Sequence, residues 1–151
     1  MSDFGSVDEV LEFAMAREDE SYEFYMDLAG RVKDRSIKEL FESLAREEKG
    51  HRAKLEAVQS GKLMLSAENK IKDLKIADYT VDTKPSPDMG LQDSLLLAMK
   101  KEKAAFRLYT DLAASAPNDS LKETFSALAQ EEARHKLRFE TMYDDEVLTE
   151  N

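Results

Sequence analysis

The sequence predicts an all-α protein: a four-helix bundle made of two duplicated antiparallel helical hairpins joined by one long crossover. Three observations predict it. In 151 residues, 42% are hydrophobic and 36% charged while Gly (5) and Pro (3) are scarce, a balance that suits long amphipathic helices better than sheets. The chain also repeats itself. Shifted by 84 positions, residues 14–56 lie on residues 98–140 with 17 of 43 pairs identical, so "EEKGH" at 47–51 returns as "EEARH" at 131–135. Finally, apolar residues recur every three or four positions through two consecutive stretches of each repeat, the period of a helix with one buried face.

Each element can be justified in turn. The first helix is expected over 7–29, opened by Ser6 with Glu9 three residues later, the pattern of a capping box. The second runs over 37–60 behind Ser36 and Glu39 and stops at Gly61. The third covers 91–115 and is ended by Pro117; the fourth covers 121–143 behind Ser120 and Glu123. About six residues join the first helix to the second and the third to the fourth, short enough to make each pair antiparallel neighbours. The crossover, about 61–90, holds "KPSPDMG" but also Leu63, Leu65, Ile71, Leu74, Ile76, Tyr79 and Val81, too apolar for a free linker. It can run the height of a helix of about 23 residues, roughly 35 Å at 1.5 Å per residue, and a short helix is expected near 66–74. The whole of 1–151 is read as a single domain: hairpin one about 7–60, the crossover, and hairpin two about 91–143.

Charge and composition exclude several classes of function. With 32 acidic against 22 basic residues the net charge is -10, which argues against nucleic acid or an anionic membrane as partner. No apolar run could span a bilayer, and "MSDFGSVDEV" lacks the basic and apolar regions of a secretory signal, so a cytoplasmic location is expected. The absence of cysteine rules out disulfides, thiol catalysis and cysteine-ligated metal within this chain.

The helix seams carry the chemistry. The second helix turns Phe41, Leu44, Glu48, His51 and Leu55 inward, and the fourth Phe125, Leu128, Glu132, His135 and Phe139. On the first the seam is Leu11, Ala14, Glu18, Ser21, Tyr25 and Leu28; on the third it is Leu95, Ala98, Glu102, Ala105, Tyr109 and Leu112. Four carboxylates and the chain's only two imidazoles therefore meet at one level of an apolar core. As bare ions they would cost several kcal/mol each in desolvation, and the like charges would repel. Protons could neutralise them by raising the carboxylate pKa values; two divalent cations would bring +4 against -4 and use every ligand. Carboxylate oxygen mixed with imidazole nitrogen suits iron or manganese, whereas a sulfur-free cage for two metals is not the usual structural zinc site, leaving zinc as a substitute.

The stretches "AREDESYEFYMDLA", "FESLAREEKGH", "AMKKEKAAFRLYTDLA" and "FSALAQEEARH" resemble the rubrerythrin branch of the ferritin-like diiron-carboxylate superfamily over nearly the whole chain. In that fold one Glu from each of two helices meets Glu-x-x-His from the other two. The resemblance implies that Glu18, Glu48, His51, Glu102, Glu132 and His135 are metal ligands for two iron ions. Glu48 and Glu132 would be the bridging carboxylates, and Glu18, Glu48, Glu102 and Glu132 the catalytic ones. It implies an oxidoreductase that reduces hydrogen peroxide, or reacts with dioxygen, and a homodimer. Two departures stand out. Peroxide-reducing rubrerythrins usually carry a second glutamate where this chain has Ala105, and often a four-cysteine rubredoxin domain, absent here, so an external electron donor such as a rubredoxin-like protein is expected. Two other readings are an iron-oxidising or iron-handling protein, and a regulatory or adaptor bundle whose metal is structural.

Other residues have plainer alternatives. Tyr22, Tyr25 and Tyr109 lie one or two turns from the seam glutamates and could hydrogen-bond ligands, pass a radical or simply pack. Glu47 and Glu131 fall off the seam and are read as surface carboxylates or supports for the ligands. Asp19 and Glu20 are assigned to a solvated face, and the seven methionines to core filling.

Overall fold

The computed structural model describes residues 4–150. Four long helices, α1 (Val7–Arg31), α2 (Arg35–Ser60), α4 (Leu91–Ser115) and α5 (Asp119–Glu150), form the expected four-helix bundle, with the short α3 (Glu68–Ile71) in the crossover. Three residues rather than six join α1 to α2 and α4 to α5, and the hairpins are correspondingly tight. The expected short helix near 66–74 is a 3₁₀ turn, Leu65–Ala67, running into α3, and a second 3₁₀ turn covers Ile76–Tyr79. No helix among the described residues is long and apolar enough to cross a membrane.

Local chemistry sets the helix ends, not always through the residues the pattern suggests. Ser6 caps α1, accepting the Glu9 N–H at 3.1 Å, while the Glu9 carboxylate reaches back to the Gly5 N–H. The caps expected at Ser36 and Ser120 are displaced two residues upstream. Asp34 accepts the Ile37 N–H at 3.2 Å, and Asn118 accepts the Leu121 N–H at 3.0 Å. These two short polar side chains occupy equivalent places in the repeat and cap about as well as serine, and with the helices starting there the serines fall inside the first turn. Ala116, before Pro117, is extended (φ -63°, ψ 139°), since the ring disfavours helical backbone in the preceding residue and stops α4. Gly61 does end α2, but the left-handed residue is Lys62 (φ 53°). A Cβ at Gly61 would stand 3.2 Å from the Ala57 carbonyl oxygen and from the Leu63 side chain, a tight fit that a small shift could relieve. Beyond 143 no Gly or Pro interrupts the chain, and α5 continues to Glu150.

The core divides into two apolar clusters. One holds Leu11, Ala14, Leu55, Tyr109, Leu112, Phe125 and Leu128; the other holds Tyr25, Leu28, Phe41, Leu44, Leu95, Ala98 and Phe139. Adding 84 to Tyr25, Leu28, Phe41 and Leu44 gives Tyr109, Leu112, Phe125 and Leu128, so the repeat exchanges one cluster for the other. The seam residues expected to be buried are buried, except that Ala105 is half-buried. Met15 and Met64 fill core space, as expected of methionine, whereas Met26 is exposed.

The crossover packs along the bundle. Met64, Ala67, Ile71 and Tyr79 join the first cluster, and the Tyr79 hydroxyl donates to Asp111 at 2.6 Å. Farther on, the Arg31 guanidinium donates to the Met89 and Ser86 carbonyls at 3.1 and 3.3 Å, fixing the other end. Leu63 and Leu65 are exceptions: at 48% and 52% exposed they contribute little to the core.

If the displaced caps are correct, Asp34→Ala and Asn118→Ala should each cost about 1 kcal/mol in urea unfolding, while Ser36→Ala and Ser120→Ala should stay within about 0.5 kcal/mol. A larger loss from the serine variants would return the caps to those residues.

Candidate metal centre

Between the two apolar clusters lies a polar layer. Helical spacing puts Glu48 over His51 and Glu132 over His135, each pair three residues apart on one face. Glu18 from α1 and Glu102 from α4 complete the layer, and all six side chains are buried. His51 Nδ1 lies 2.9 Å from Glu132 Oε1, 3.2 Å from Glu18 Oε2 and 3.4 Å from Glu48 Oε1. His135 Nδ1 lies 3.2 Å from Glu48 Oε1, 3.5 Å from Glu102 Oε2 and 3.7 Å from Glu132 Oε1. Two groups result, Glu18–Glu48–His51–Glu132 and Glu48–Glu102–Glu132–His135; within each, one ligand atom per residue lies within 4.8 Å of all the others, a geometry that could hold a metal ion. Glu48 and Glu132 belong to both.

The surroundings obey the same internal symmetry. Tyr25 donates its hydroxyl to Glu102, and Tyr109 donates to Glu18, two hydrogen bonds that cross between α1 and α4. On the opposite side, His51 Nε2 faces Glu131 Oε2 at 3.2 Å and His135 Nε2 faces Glu47 Oε1 at 3.5 Å. Glu131 is 26% exposed and Glu47 45%, so each links a buried ring to the surface. Sequence spacing puts both off the seam; their exact recurrence in the two repeats is the signal that marks them. Tyr22 is placed elsewhere: half-buried against the second apolar cluster, with the Lys49 ammonium 5.2 Å from its ring centre. Asp19 and Glu20 are exposed, as expected, paired with Arg52 and Arg17.

Electrostatics make this layer costly without a counter-ion. Burial first, then the Glu102 and Glu18 carboxylates, push Glu48 well above the usual carboxylate range; burial, Glu102, Glu48 and Glu18 do the same to Glu132. Burial pulls the His135 imidazole down, but Glu102 and Glu48 outweigh it and hold it up at about 11. Burial and the facing carboxylates also push Tyr25 and Tyr109 up, so both phenols stay protonated and donate.

The family model described as Rubrerythrin matches residues 5–80 and 93–151. The chain belongs to the rubrerythrin family. A solved structure from Thermotoga maritima, described as a ferritin-like diiron-carboxylate protein, matches with a TM-score of 0.81 and 21% identity over 97% of this chain and 99% of that one, establishing a ferritin-like fold. No curated protein matches the chain.

The donor atoms of this rubrerythrin-family chain fit such a metal pair. Both Glu48 oxygens, Glu132 Oε1, Glu102 Oε2 and both nitrogens of each histidine are buried without a hydrogen bond. Buried polar atoms are ordinarily satisfied, so a cluster of unsatisfied donors facing one another calls for cations. A cavity of about 660 Å³ also opens between α1 and α4 and reaches Glu18 and Tyr109.

A pH test separates protons from metal. Glu48 and Glu132 hold their protons more tightly in the folded than in the unfolded state, and His135 does too. Their contribution is therefore complete below the unfolded values and is lost as pH rises through the folded ones. The metal-free protein should need less urea to unfold at pH 8 than at pH 5.5, and saturating Zn²⁺ should remove that decline, since metal binding releases the same protons. Rising metal-free stability over this interval would contradict the assignment.

Proposed function

We propose that this chain is an oxidoreductase reducing hydrogen peroxide, or dioxygen, at two iron ions held by Glu18, Glu48, His51, Glu102, Glu132 and His135. The observation that carries the reading is the pair of four-residue groups sharing Glu48 and Glu132, with their facing atoms buried and unsatisfied. Bound there, the irons would supply a one-electron couple each and Lewis acidity toward an oxidant's oxygen.

The protein's own residues do the rest. Glu48 and Glu132 would bridge, because each belongs to both groups. His51 and His135 would each face one ion through Nδ1, with Glu131 and Glu47 close enough to Nε2 to orient the rings and raise their basicity once that nitrogen donates. Tyr25 and Tyr109 hold the Glu102 and Glu18 carboxylates in place, and the apolar clusters on either side limit water. Tyr109 and Glu18 both line the cavity, and the Tyr109 hydroxyl is a proton-bearing group beside Glu18. With no cysteine to hold an iron–sulfur centre of its own, the chain would take electrons from a separate donor protein.

An anaerobic Fe(II) titration should find two tight irons per chain, followed by faster oxidation with H₂O₂ than with O₂, read from near-ultraviolet absorption. Glu48→Ala and His135→Ala should each lose tight iron and at least ~100-fold in peroxide turnover. Faster reaction with O₂, with iron released afterwards, would favour the iron-handling reading. A site inert to both oxidants would leave a structural metal.

A further inference from the structure

The α1–α4 cavity is larger than the oxidants considered so far require. Hydrogen peroxide and dioxygen occupy roughly the few tens of Å³ of a water molecule or two, whereas about 660 Å³ lies in the range that holds an organic ligand. Its origin is local. α1 and α4 are held together by the two Tyr–Glu hydrogen bonds, and midway between these bonds the helices carry only Ser21 and Ala105. Phe13, Phe24, Leu108 and Tyr79 supply apolar wall, and the inner end is Glu18 with Tyr109.

Charge around the cavity says what kind of molecule it takes. Apart from Glu18, the lining carries three cations, Arg17, Lys84 and Lys101, and three carboxylates, Glu20, Glu23 and Asp27. Arg17 is paired with Glu20 at 2.8 Å and lies over the Phe13 ring at 4.6 Å, and the Lys101 ammonium lies 5.5 Å from the centre of the Phe24 ring. With these charges balanced and two of the cations laid over aromatic walls, a neutral occupant is favoured over an ion.

We propose that this cavity admits a neutral organic hydroperoxide, its aryl or alkyl body between α1 and α4 and its O–O group at Glu18 and Tyr109. The inference rests on the peroxide-reducing reading and names its substrate class. The O–O bond breaks: the carbon-bound oxygen leaves as an alcohol and the terminal oxygen as water. Two electrons come through the site from an external one-electron donor protein, and two protons come from solvent by way of the cavity.

Two measurements test it together. Zinc-loaded protein, which cannot turn over, is titrated calorimetrically with 2-phenyl-2-propanol, the alcohol left when cumene hydroperoxide is reduced. Iron-loaded protein is assayed for kcat/KM with cumene hydroperoxide and with H₂O₂. Ala104→Trp on α4 and Thr83→Trp on the crossover narrow the cavity from two different segments, so one serves if the other misfolds. One alcohol should bind per chain, and each variant should lower the cumene-to-H₂O₂ ratio of kcat/KM by at least about tenfold. No binding, or an unchanged ratio, overturns the proposal even if H₂O₂ is reduced normally. So does a wild-type dimer that Ala104→Trp splits in sedimentation with the ratio intact, which would make the groove a contact between copies. Alcohol binding with neither peroxide reduced would sink the peroxide-reducing reading, and this substrate class with it.

Discussion

Everything in this bundle is arranged around the cost of placing four carboxylates and two imidazoles in one dry layer. Each uncompensated ion would cost several kcal/mol, comparable with the whole stability of a domain this size. The layer can exist only if protons or metal cations neutralise it. The raised values of Glu48, Glu132 and His135 describe the proton-filled state, and the unsatisfied oxygens and Nδ1 atoms describe what a metal would replace. The two apolar clusters follow from the same constraint. By excluding water on both sides they make neutralisation obligatory, and they hold the ligand helices rigidly enough for six side chains to meet.

Duplication makes that meeting inexpensive to specify. A single hairpin supplies a seam glutamate, a Glu-x-x-His pair, a tyrosine and an outer carboxylate; two copies packed face to face complete one another's site. Tyr25 serves Glu102 as Tyr109 serves Glu18, and Glu131 faces His51 as Glu47 faces His135. Each interaction therefore occurs twice from one pattern of residues. What breaks the symmetry is the crossover, which exists once, gives Met64, Ala67, Ile71 and Tyr79 to the first cluster but only the partly buried Val81 and Met89 to the second, and lines the α1–α4 cavity.

The ligand-level core was legible because spacing and charge are both one-dimensional: a glutamate in an apolar seam stands out without coordinates. The caps were misplaced because Ser-x-x-Glu occurs at Ser36 and Ser120 one half-turn inside helices already capped by Asp34 and Asn118; the pattern cannot say which of two nearby polar residues wins. Glu47 and Glu131 were set off the seam correctly, yet a long side chain leaning from the next position reaches the facing helix, a distance that only packing defines. Tyr22 shows the converse, lying one turn from Glu18 but packing against the second apolar cluster. The cavity was least legible of all, because it arises where side chains are missing.

Ala105 joins these strands. The resemblance to peroxide-reducing rubrerythrins leads one to expect a glutamate there, and the methyl group this chain has instead does two things at once. It removes a fifth carboxylate, leaving a donor set whose halves match under the repeat, with a charge that two divalent cations cancel. It also leaves Ala105 opposite Ser21, where neither side chain is long enough to close the gap between α1 and α4. A carboxylate at 105 would fill part of that gap and add charge to a lining that is otherwise balanced. The same alanine thus makes the metal layer symmetric and the approach to it roomy and neutral. A site with no carboxylate at 105 and a wide, partly apolar approach is the setting in which the proposed bulky hydroperoxide would fit.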